Sequence, residues 1–339
     1  MTFDDVLVII NGRNQRAVEN PNGKYPIYGS GGIMGYADSY ICEADTVVIG
    51  RKGSINNPIF VEEPFWNVDT AFGLAAKREI LLPRYLYYFC RNFDFERLNK
   101  AVTIPSLTKS DLLKIEITLP TLEIQEDVVN KLRKVEQIIQ ARKQQLQKLD
   151  ELVKARVVEL FGTETELDKW HCGTVSDVAD VCVGVVIKPT QYYTDIGIPA
   201  FRSLNIGEMC VKDADWVYFT EEGHRRNQKS VVRKNDVLVV RSGAPGTACV
   251  ASEKYAGYNA VDIIIAHPDN NKVNSVFLAA FTNMPHGMNQ IRAKTGGAAQ
   301  QHFNVGGYKA MRLIMPPIEL QEQFAAFVEQ IDKSKVIEG

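Results

Sequence analysis

The sequence predicts an α+β protein, two tandem mixed-sheet domains joined by long helices that form an antiparallel coiled coil. Three observations predict it. A block near residue 120 recurs near residue 316, each half carries short β-branched runs bounded by turn residues, and residues 123–161 carry an unbroken heptad pattern.

The duplication is the strongest signal. Residues 119–126 read LPTLEIQE and residues 315–322 read MPPIELQE, 196 residues apart measured from Pro120 to Pro316. The register runs upstream without a gap, pairing Leu107 with Phe303, Leu112 with Tyr308, Ile115 with Met311 and Ile117 with Leu313. Earlier matches need small insertions. Tyr25-Pro26-Ile27-Tyr28 aligns with Ile198-Pro199-Ala200-Phe201, and the block from Asp45 to Arg51 and Gly53 aligns with that from Asp236 to Arg241 and Gly243. Each of these last blocks is an acidic turn, a buried-type strand, then a basic residue and a glycine.

Residues 46–49, 58–61 and 237–240 read as strands from their apolar, mostly β-branched runs. Residues 81–92 and 275–284 read as helices from apolar spacing. Each copy then ends in a strand (115–119; 312–315), a proline and a charged helix. The expected division is 1–118 for the first domain, 119–162 for a long spacer helix, 163–314 for the second domain and 315–339 for a second, shorter helix.

In the long helix, Val128, Leu132, Val135, Ile139, Arg142, Leu146, Leu149, Val153, Arg156 and Leu160 recur at steps of four and three, and Gly162 supplies the stop. A helix of this length, roughly 58 Å at 1.5 Å per residue, cannot bury its seam on itself. The expected partner is residues 319–337, with Leu320, Phe324, Phe327, Val328 and Ile331. That arm is about half as long as the first, so part of the first seam is expected to be exposed or covered by another chain. The first domain also lacks, at its Met1 start, the lead-in that residues 170–181 give the second.

Length and composition fit this plan. A chain of 339 residues accommodates two domains, and 45% hydrophobic with 24% charged residues is ordinary for a globular protein. Asp4 and Asp5 stand where a signal peptide needs positive charge, and the apolar run from Val6 to Ile10 is too short for a membrane span. Six cysteines are scattered singly with no C-x-x-C pair, which fits reduced thiols in the cytoplasm. A net charge of −2 neither advertises nor excludes a nucleic-acid partner.

No catalytic motif stands out. A Walker loop is absent, and the glycines 29, 31, 32 and 35 fail the dinucleotide spacing. Asn57-Pro58-Ile59-Phe60 matches an adenine-methyltransferase motif only in part, because the second proline is missing. No glutamate is followed two residues later by lysine, and the five histidines (His171, His224, His267, His286, His302) lack metal-ligand spacing. No cofactor or metal is expected, and the chain reads as a binding protein.

Several segments together resemble the target-recognition domains of type I restriction–modification specificity subunits. In the first copy they are residues 24–35 (KYPIYGSGGIMG), 48–53 (VIGRKG), 67–72 (NVDTAF) and 104–107 (IPSL), followed by the helix start at Leu119 to Gln125. In the second they are 198–203 (IPAFRS), 239–243 (VVRSG) and 315–321 (MPPIELQ). The resemblance spans essentially the whole chain. It implies a non-catalytic subunit in which each domain reads half of a split double-stranded DNA target. The helices would act as a ruler and dock methyltransferase subunits, with nuclease-translocase subunits joining through the complex. The short second helix departs from the family pattern and puts a full ruler and symmetric docking in doubt.

Base readout needs Arg, Lys, Asn or Gln at groove edges, while phosphate contacts set register. The candidate DNA contacts are Asn11, Arg13, Asn14, Ser30, Arg51, Lys52 and Lys109 in the first domain. In the second they are Arg202, Ser203, Asn205, Arg225, Arg226, Arg241, Ser242 and Lys294. Arg51 and Arg241 lead because each follows a buried-type strand, the alternative for each being a structural ion pair. The cluster Arg225, Arg226, Lys229 suits phosphate. Three competing readings stay open: a nuclease or methyltransferase with an unrecognised site, a coiled-coil scaffold without DNA binding, and a truncated, half-functional specificity subunit.

Overall fold

The computed structural model describes residues 1–100, 103–163, 166, 169–295 and 302–336. Ile337, the last residue of the expected second arm, lies outside the described residues. The chain divides into two compact units, Met1–Arg142 and Lys143–Gly339.

The first unit opens with helix α1 (Phe3–Val6), where the Asp5 carboxylate accepts from both the backbone N–H and the hydroxyl of Thr2, at 2.7 and 3.0 Å. Strands follow as β1 (Leu7–Asn11), β2 (Tyr25–Gly29), β3 (Gly32–Ala37), β4 (Thr46–Gly50), β5 (Ile59–Val61), β6 (Trp66–Asn67) and β7 (Ala71–Ala76). The main sheet has the order β1-β7-β4-β5, antiparallel throughout. Every residue of β4 is buried, as a central strand covered on both faces requires. A smaller sheet, β3-β2-β6, includes the parallel pair Ile27↔Trp66 and Tyr28↔Asn67, so the unit is mixed as expected. Helices α2 (Pro83–Asn92) and α3 (Lys109–Leu112) complete the core.

Helix α4 (Leu122–Phe161) begins in the first unit and ends in the second, closed by Gly162 at φ +92°. The second unit continues with β8 (Cys172–Thr174), α5 (Val175–Val178), β9 (Ala179–Val183), β10 (Tyr193–Thr194), β11 (Ile198–Phe201), β12 (Ile206–Gly207), β13 (Cys210–Val211), β14 (Val217–Phe219) and α6 (Glu221–Arg226). After these come β15 (Val237–Val240), β16 (Ala248–Val250), β17 (Asn259–Ala260), β18 (Ile263–Pro268), α7 (Ser275–Asn283), α8 (Pro285–Thr295), α9 (Val305–Lys309), β19 (Arg312–Ile314) and α10 (Ile318–Val336). Its main sheet has the order β9-β18-β15-β16, again antiparallel throughout, and its second sheet carries the parallel pair β11 with β17.

The two units are the same design built twice. Their main sheets match strand for strand, β1 with β9, β7 with β18, β4 with β15 and β5 with β16. All eight residues that pair across the repeat, from Leu107 with Phe303 to Ile117 with Leu313, are buried. The start of the chain does have the lead-in that the sequence reading denied it. Thr174 repeats the Thr2 capping box, and residues 1–3 bond to 115–117 as β8 pairs with β19. In the first copy the final strand is reduced to the single bridge Thr2↔Glu116.

A buried glutamine roots each arm helix. The Gln125 amide accepts from the Leu82 N–H at 2.9 Å and donates to the carbonyls of Ile80 and Pro120 at 2.9 and 3.0 Å. Gln321, its counterpart, accepts from the Asn274 N–H at 2.9 Å and donates to the Pro316 carbonyl at 2.8 Å. Leu82 and Asn274 are the N-caps of α2 and α7, so each glutamine ties the arm to the start of its unit's main helix.

Within the second unit, α10 packs antiparallel on the last turns of α4. Phe324 meets Phe161 at 5.7 Å between ring centroids, and at the other end Lys335 pairs with Asp150 at 2.9 Å. The buried stripe of α4 is Val153, Val157 and Phe161, with Leu149 and Leu160 half-buried. It is rotated from the expected heptad seam because the helix faces both α10 and the core residue Phe277, 4.8 Å from Phe161. Arg156, a seam member, stacks on Phe327 instead. Earlier on the helix Leu132, Val135, Ile138 and Ile139 are exposed, so the expected uncovered stretch is there.

Replacing Gln125 or Gln321 by leucine leaves buried backbone donors and acceptors unmatched. Each is expected to cost about 2–3 kcal/mol. Urea titration of the full chain checks this, with the alanine variant of exposed Gln144 as the neutral comparison.

Candidate functional site

In the first unit the end of the main sheet where β1 and β4 finish and β7 starts gathers most of the predicted residues. The turn 67–71 is its hub. Its Asn67 carbonyl accepts from Arg13 at 2.8 Å, its Thr70 carbonyl from Arg51 and Lys52 at 2.8 and 3.2 Å, and its Ala71 carbonyl from Gly12 at 3.3 Å. Gly12 is required, since a Cβ there would stand 1.7 Å from the Val68 carbonyl oxygen. Ser30, half-buried, lies beside the loop of Gly50 to Gly53.

Asn11, Arg13, Asn14, Arg51 and Lys52 are exposed there. Asn14 accepts from the Arg16 N–H at 2.9 Å, which shapes its turn. The Arg51 guanidinium lies 5.7 Å from the Phe72 ring centroid, held over an apolar face with its polar edge outward. Lys109 stands apart, its ammonium spent on the Ile9 carbonyl at 2.8 Å.

The second unit builds the same end differently. Gly184 occupies the position of Gly12, with the Ala260 carbonyl oxygen 2.4 Å from its missing Cβ. The Arg51 carbonyl accepts from Leu107 and the Arg241 carbonyl from Phe303, both at 2.9 Å, so the two arginines are structurally equivalent. Their side chains differ. Arg241 is buried, ion-paired to Asp262 at 2.7 Å, bonded to the Phe303 carbonyl at 3.2 Å and in contact with His302, whose Nδ1 meets the Ser242 hydroxyl at 2.8 Å. Arg241 therefore takes the alternative role of a structural ion pair.

Asn205 is a further correction. It is fully buried, with its amide accepting from the Arg202 N–H at 2.8 Å and donating to the Ala214 carbonyl at 2.7 Å, so it shapes the 202–205 loop and offers no edge to solvent. Arg202 bonds to the Asp215 carbonyl, and Ser203 beside it is half-buried. Lys294 is exposed but donates to the Gly307 carbonyl at 2.9 Å. Arg225 and Arg226 end α6 on the surface, Arg226 paired with Glu222. The segment beneath them is anchored by Asn259, fully buried, which donates to the Ser230 hydroxyl at 2.9 Å and meets His224 Nδ1 at 2.7 Å.

Sequence reasoning named nothing in the loop after β9, although it matches the loop of Arg13 and Asn14. Val186, Ile187 and Lys188 are exposed there. The spacing of 172 residues from Gly12 to Gly184 is the signal that could have found it.

Within the main sheet of the second unit three ionisable groups adjoin. His267 donates from Nδ1 to Asp236 at 2.6 Å, and its Nε2 stands 3.7 Å from the Cys182 sulfur. The Asp236 carboxylate, then Cys182, raise the His267 pKa to about 9 against a smaller opposing effect of burial. Elsewhere burial pushes the Cys42 and Cys249 thiols up to about 12. Among the described residues no group of three or more His, Cys, Asp or Glu could hold a metal ion, and no helix is long and apolar enough to cross a membrane.

Two predictions follow from the electrostatics. Arg241→Ala strips Asp262 and the Phe303 carbonyl of their partner and is expected to cost about 1–3 kcal/mol, whereas Arg51→Ala is expected to stay within about 0.5 kcal/mol. Denaturant midpoints of the two variants check the contrast. His267 has a folded-state pKa above its unfolded value of 6.5, so its stabilisation is complete below about pH 6.5 and is lost as pH rises through about 9. Urea titrations across that window should show the decline, flattened in His267→Gln.

Comparison with known proteins agrees with this duplicated design. The family model described as the type I restriction modification DNA specificity domain matches residues 1–151 and again 168–338. The chain is similar to the MjaIX specificity subunit of Methanocaldococcus jannaschii, 20% identical over 308 residues that cover 84% of this chain and 68% of the relative. It is likewise similar to the EcoBI specificity subunit of Escherichia coli, 20% identical over 339 residues that cover 91% of this chain and 70% of the relative. It spans about two thirds of the length of these curated relatives. Among solved structures, the S subunit of the type I restriction–modification system from M. genitalium has the same fold, at a TM-score of 0.64 and 16% identity over 99% of this chain and 89% of that one. With both copies of the domain matched, the chain belongs to the type I restriction–modification DNA-specificity family and stands among its non-catalytic specificity subunits.

Proposed function

We propose that the chain binds double-stranded DNA sequence-specifically, each unit reading one half of a bipartite target. The observation that carries this reading is the sheet end of the first unit. There Asn11, Arg13, Asn14, Arg51 and Lys52 are exposed around one backbone hub, on loops fixed by a rigid scaffold. In the second unit the equivalent surface comprises the loop after β9 and the loop of Arg202 and Ser203, with Arg225 and Arg226 contributing phosphate contacts. Arg241 supports that surface from beneath.

The four-part division at residues 118, 162 and 314 follows from this reading. Recognition domains alternate with helices that fix the gap between half-sites and dock methyltransferase subunits, with nuclease-translocase subunits joining in the cytoplasm. Exposed Leu132, Val135, Ile138 and Ile139 support docking on the long helix, because a contiguous apolar face favours a protein partner. The same face favours the coiled-coil scaffold as second reading, and DNA binding separates the two.

Selection from a random duplex library by the complex with its methyltransferase tests the proposal. The expected result is a split motif of fixed gap. No enrichment would leave the scaffold. Arg51→Ala should relax base preference in one half-site only, at about 1–3 kcal/mol. Arg225→Ala with Arg226→Ala should weaken binding at all sequences and reduce the salt slope by roughly one to two. An unchanged slope would remove these arginines from the phosphate contacts.

A further inference from the structure

The two units superpose position by position in their main sheets, and this exposes three residues that break the correspondence. Sheet register places Cys182 at the position of Ile10, His267 at that of Ala75 and Asp236 at that of Thr46. One copy fills these positions with side chains that cannot titrate; the other fills them with a thiol, an imidazole and a carboxylate in mutual contact.

The geometry follows from the strand order. β18 lies between β9 and β15, with His267 adjoining Asp236 on one side and standing diagonal to Cys182 on the other. The Asp236 carboxylate is buried and also accepts from the Arg233 N–H at 2.6 Å, so it is fixed from two directions. It accepts from His267 Nδ1 and leaves Nε2 facing the Cys182 sulfur at 3.7 Å. This is the arrangement of a carboxylate orienting an imidazolium beside a thiol, a general device for stabilising a thiolate nucleophile. The sulfur has a second neighbour, the Lys229 carbonyl at 3.3 Å, which only the S–H form can satisfy. Cys182 is half-buried, open enough for a small reagent, whereas Cys42, Cys90 and Cys249 are buried.

We propose that Cys182, with His267 and Asp236, is a reactive-thiol site that takes small disulfides and soft electrophiles, and that an adduct there unseats the segment of Arg225 to Lys229. In exchange with a disulfide at pH 7, the proton of Cys182 leaves to water, the protonated His267 holds the thiolate through its Nε2–H, and the thiolate attacks one sulfur. A new S–S bond forms, the old one breaks, and the departing thiolate takes up a proton from water. Cys182 is oxidised and the leaving sulfur reduced, with no other reactant needed. The added sulfur lies at ~2.05 Å from Sγ. Sγ already has the Lys229 carbonyl on one side and the imidazole on the other, so the carbonyl loses its hydrogen bond and the segment its contact with β9. Any resulting loss of DNA affinity rests on the function proposed above; the thiol chemistry and the displacement do not.

The test uses the full chain without DNA. Limiting iodoacetamide or oxidised glutathione is added at pH 7, and peptide mass spectrometry follows the rate at each cysteine. Cys210 is the control, because it is the more exposed thiol and burial raises its pKa. Cys182 is expected to react at least about ten-fold faster than Cys210. His267→Gln is expected to remove that advantage while leaving the Cys210 rate unchanged, which also reports that the fold survives. Brief trypsin digestion then reads the segment, with faster cleavage after Arg225, Arg226 and Lys229 expected in the glutathione adduct and not in Cys182→Ser treated alike. Preferential labelling of Cys210, or an unaltered Cys182 rate in His267→Gln, would overturn the reactive thiol. Unchanged trypsin cleavage in a fully formed adduct would overturn the displacement.

Discussion

A primary amide buried at the root of each arm is the constraint on which the rest of the architecture depends. Gln125 and Gln321 each receive a backbone N–H from the start of the unit's main helix and return a hydrogen to the carbonyl of a proline that leads into the arm, Pro120 or Pro316. A helix start has N–H groups without partners, and a chain turning through a proline leaves carbonyls without partners. One glutamine answers both, because it alone among side chains of its length carries donor and acceptor on one rigid plane. Glutamate could accept but not donate, and leucine could do neither. The direction in which each arm leaves its unit is therefore set by a hydrogen-bonded clamp, with packing added to it. In the second unit that direction lays α10 along α4, where Phe324, Val328 and Ile331 meet Val153, Val157 and Phe161.

The same economy operates at the sheet ends. A carbonyl after the central strand, of Arg51 or of Arg241, binds the residue that begins the final segment, Leu107 or Phe303. The backbone is thereby identical where the side chains are free to diverge. Arg51 lies over Phe72 with its guanidinium in solvent, whereas Arg241 is turned in upon Asp262 and His302. The acid is the deciding difference. A guanidinium within 2.7 Å of a carboxylate on the same loop cluster stays there, since leaving it would strand two partly desolvated charges. A duplicated scaffold thus presents a polar arginine in one unit and a load of loop side chains supported by a locked arginine in the other.

Much of this was legible from the sequence, for a definable reason. Buried strands announce themselves through β-branched runs, and the repeated LPTLEIQE and MPPIELQE segments carry both the clamp glutamine and the core residues upstream of it. Less visible was anything displaced by insertions. The repeat spacing is 172 residues at Thr2 and Thr174 but 196 at Pro120 and Pro316, so alignment by eye drifts between them. That drift hid the lead-in at the start of the chain. It also paired Asp45 with Asp236, although the left-handed turn residues are Asp45 and Asn235, and Asp236 takes the buried place of Thr46. Polarity was equally misleading where a side chain serves its own loop: Asn205 has the composition of a contact residue and the burial of a core one.

The arm helix shows why periodicity alone could not settle which face is covered. A heptad seam presumes one partner helix along the whole length. Toward its end α4 has two neighbours, α10 and the core around Phe277, so its buried stripe widens and turns to Val153, Val157 and Phe161. Toward its start it is tied to α2 by polar contacts, Tyr88 donating to Glu136 at 2.7 Å and Arg91 pairing with the same carboxylate. Burial and that hydrogen bond push the Tyr88 hydroxyl up to about 12, so the tie persists throughout the physiological range. Those contacts fix the helix without covering Ile138 and Ile139, which remain 68% and 50% exposed. One helix is therefore held in two ways, by a broad apolar stripe at its end and toward its start by the Gln125 amide, the Glu136 carboxylate and the single buried Val129, and only the second leaves an apolar face available for assembly.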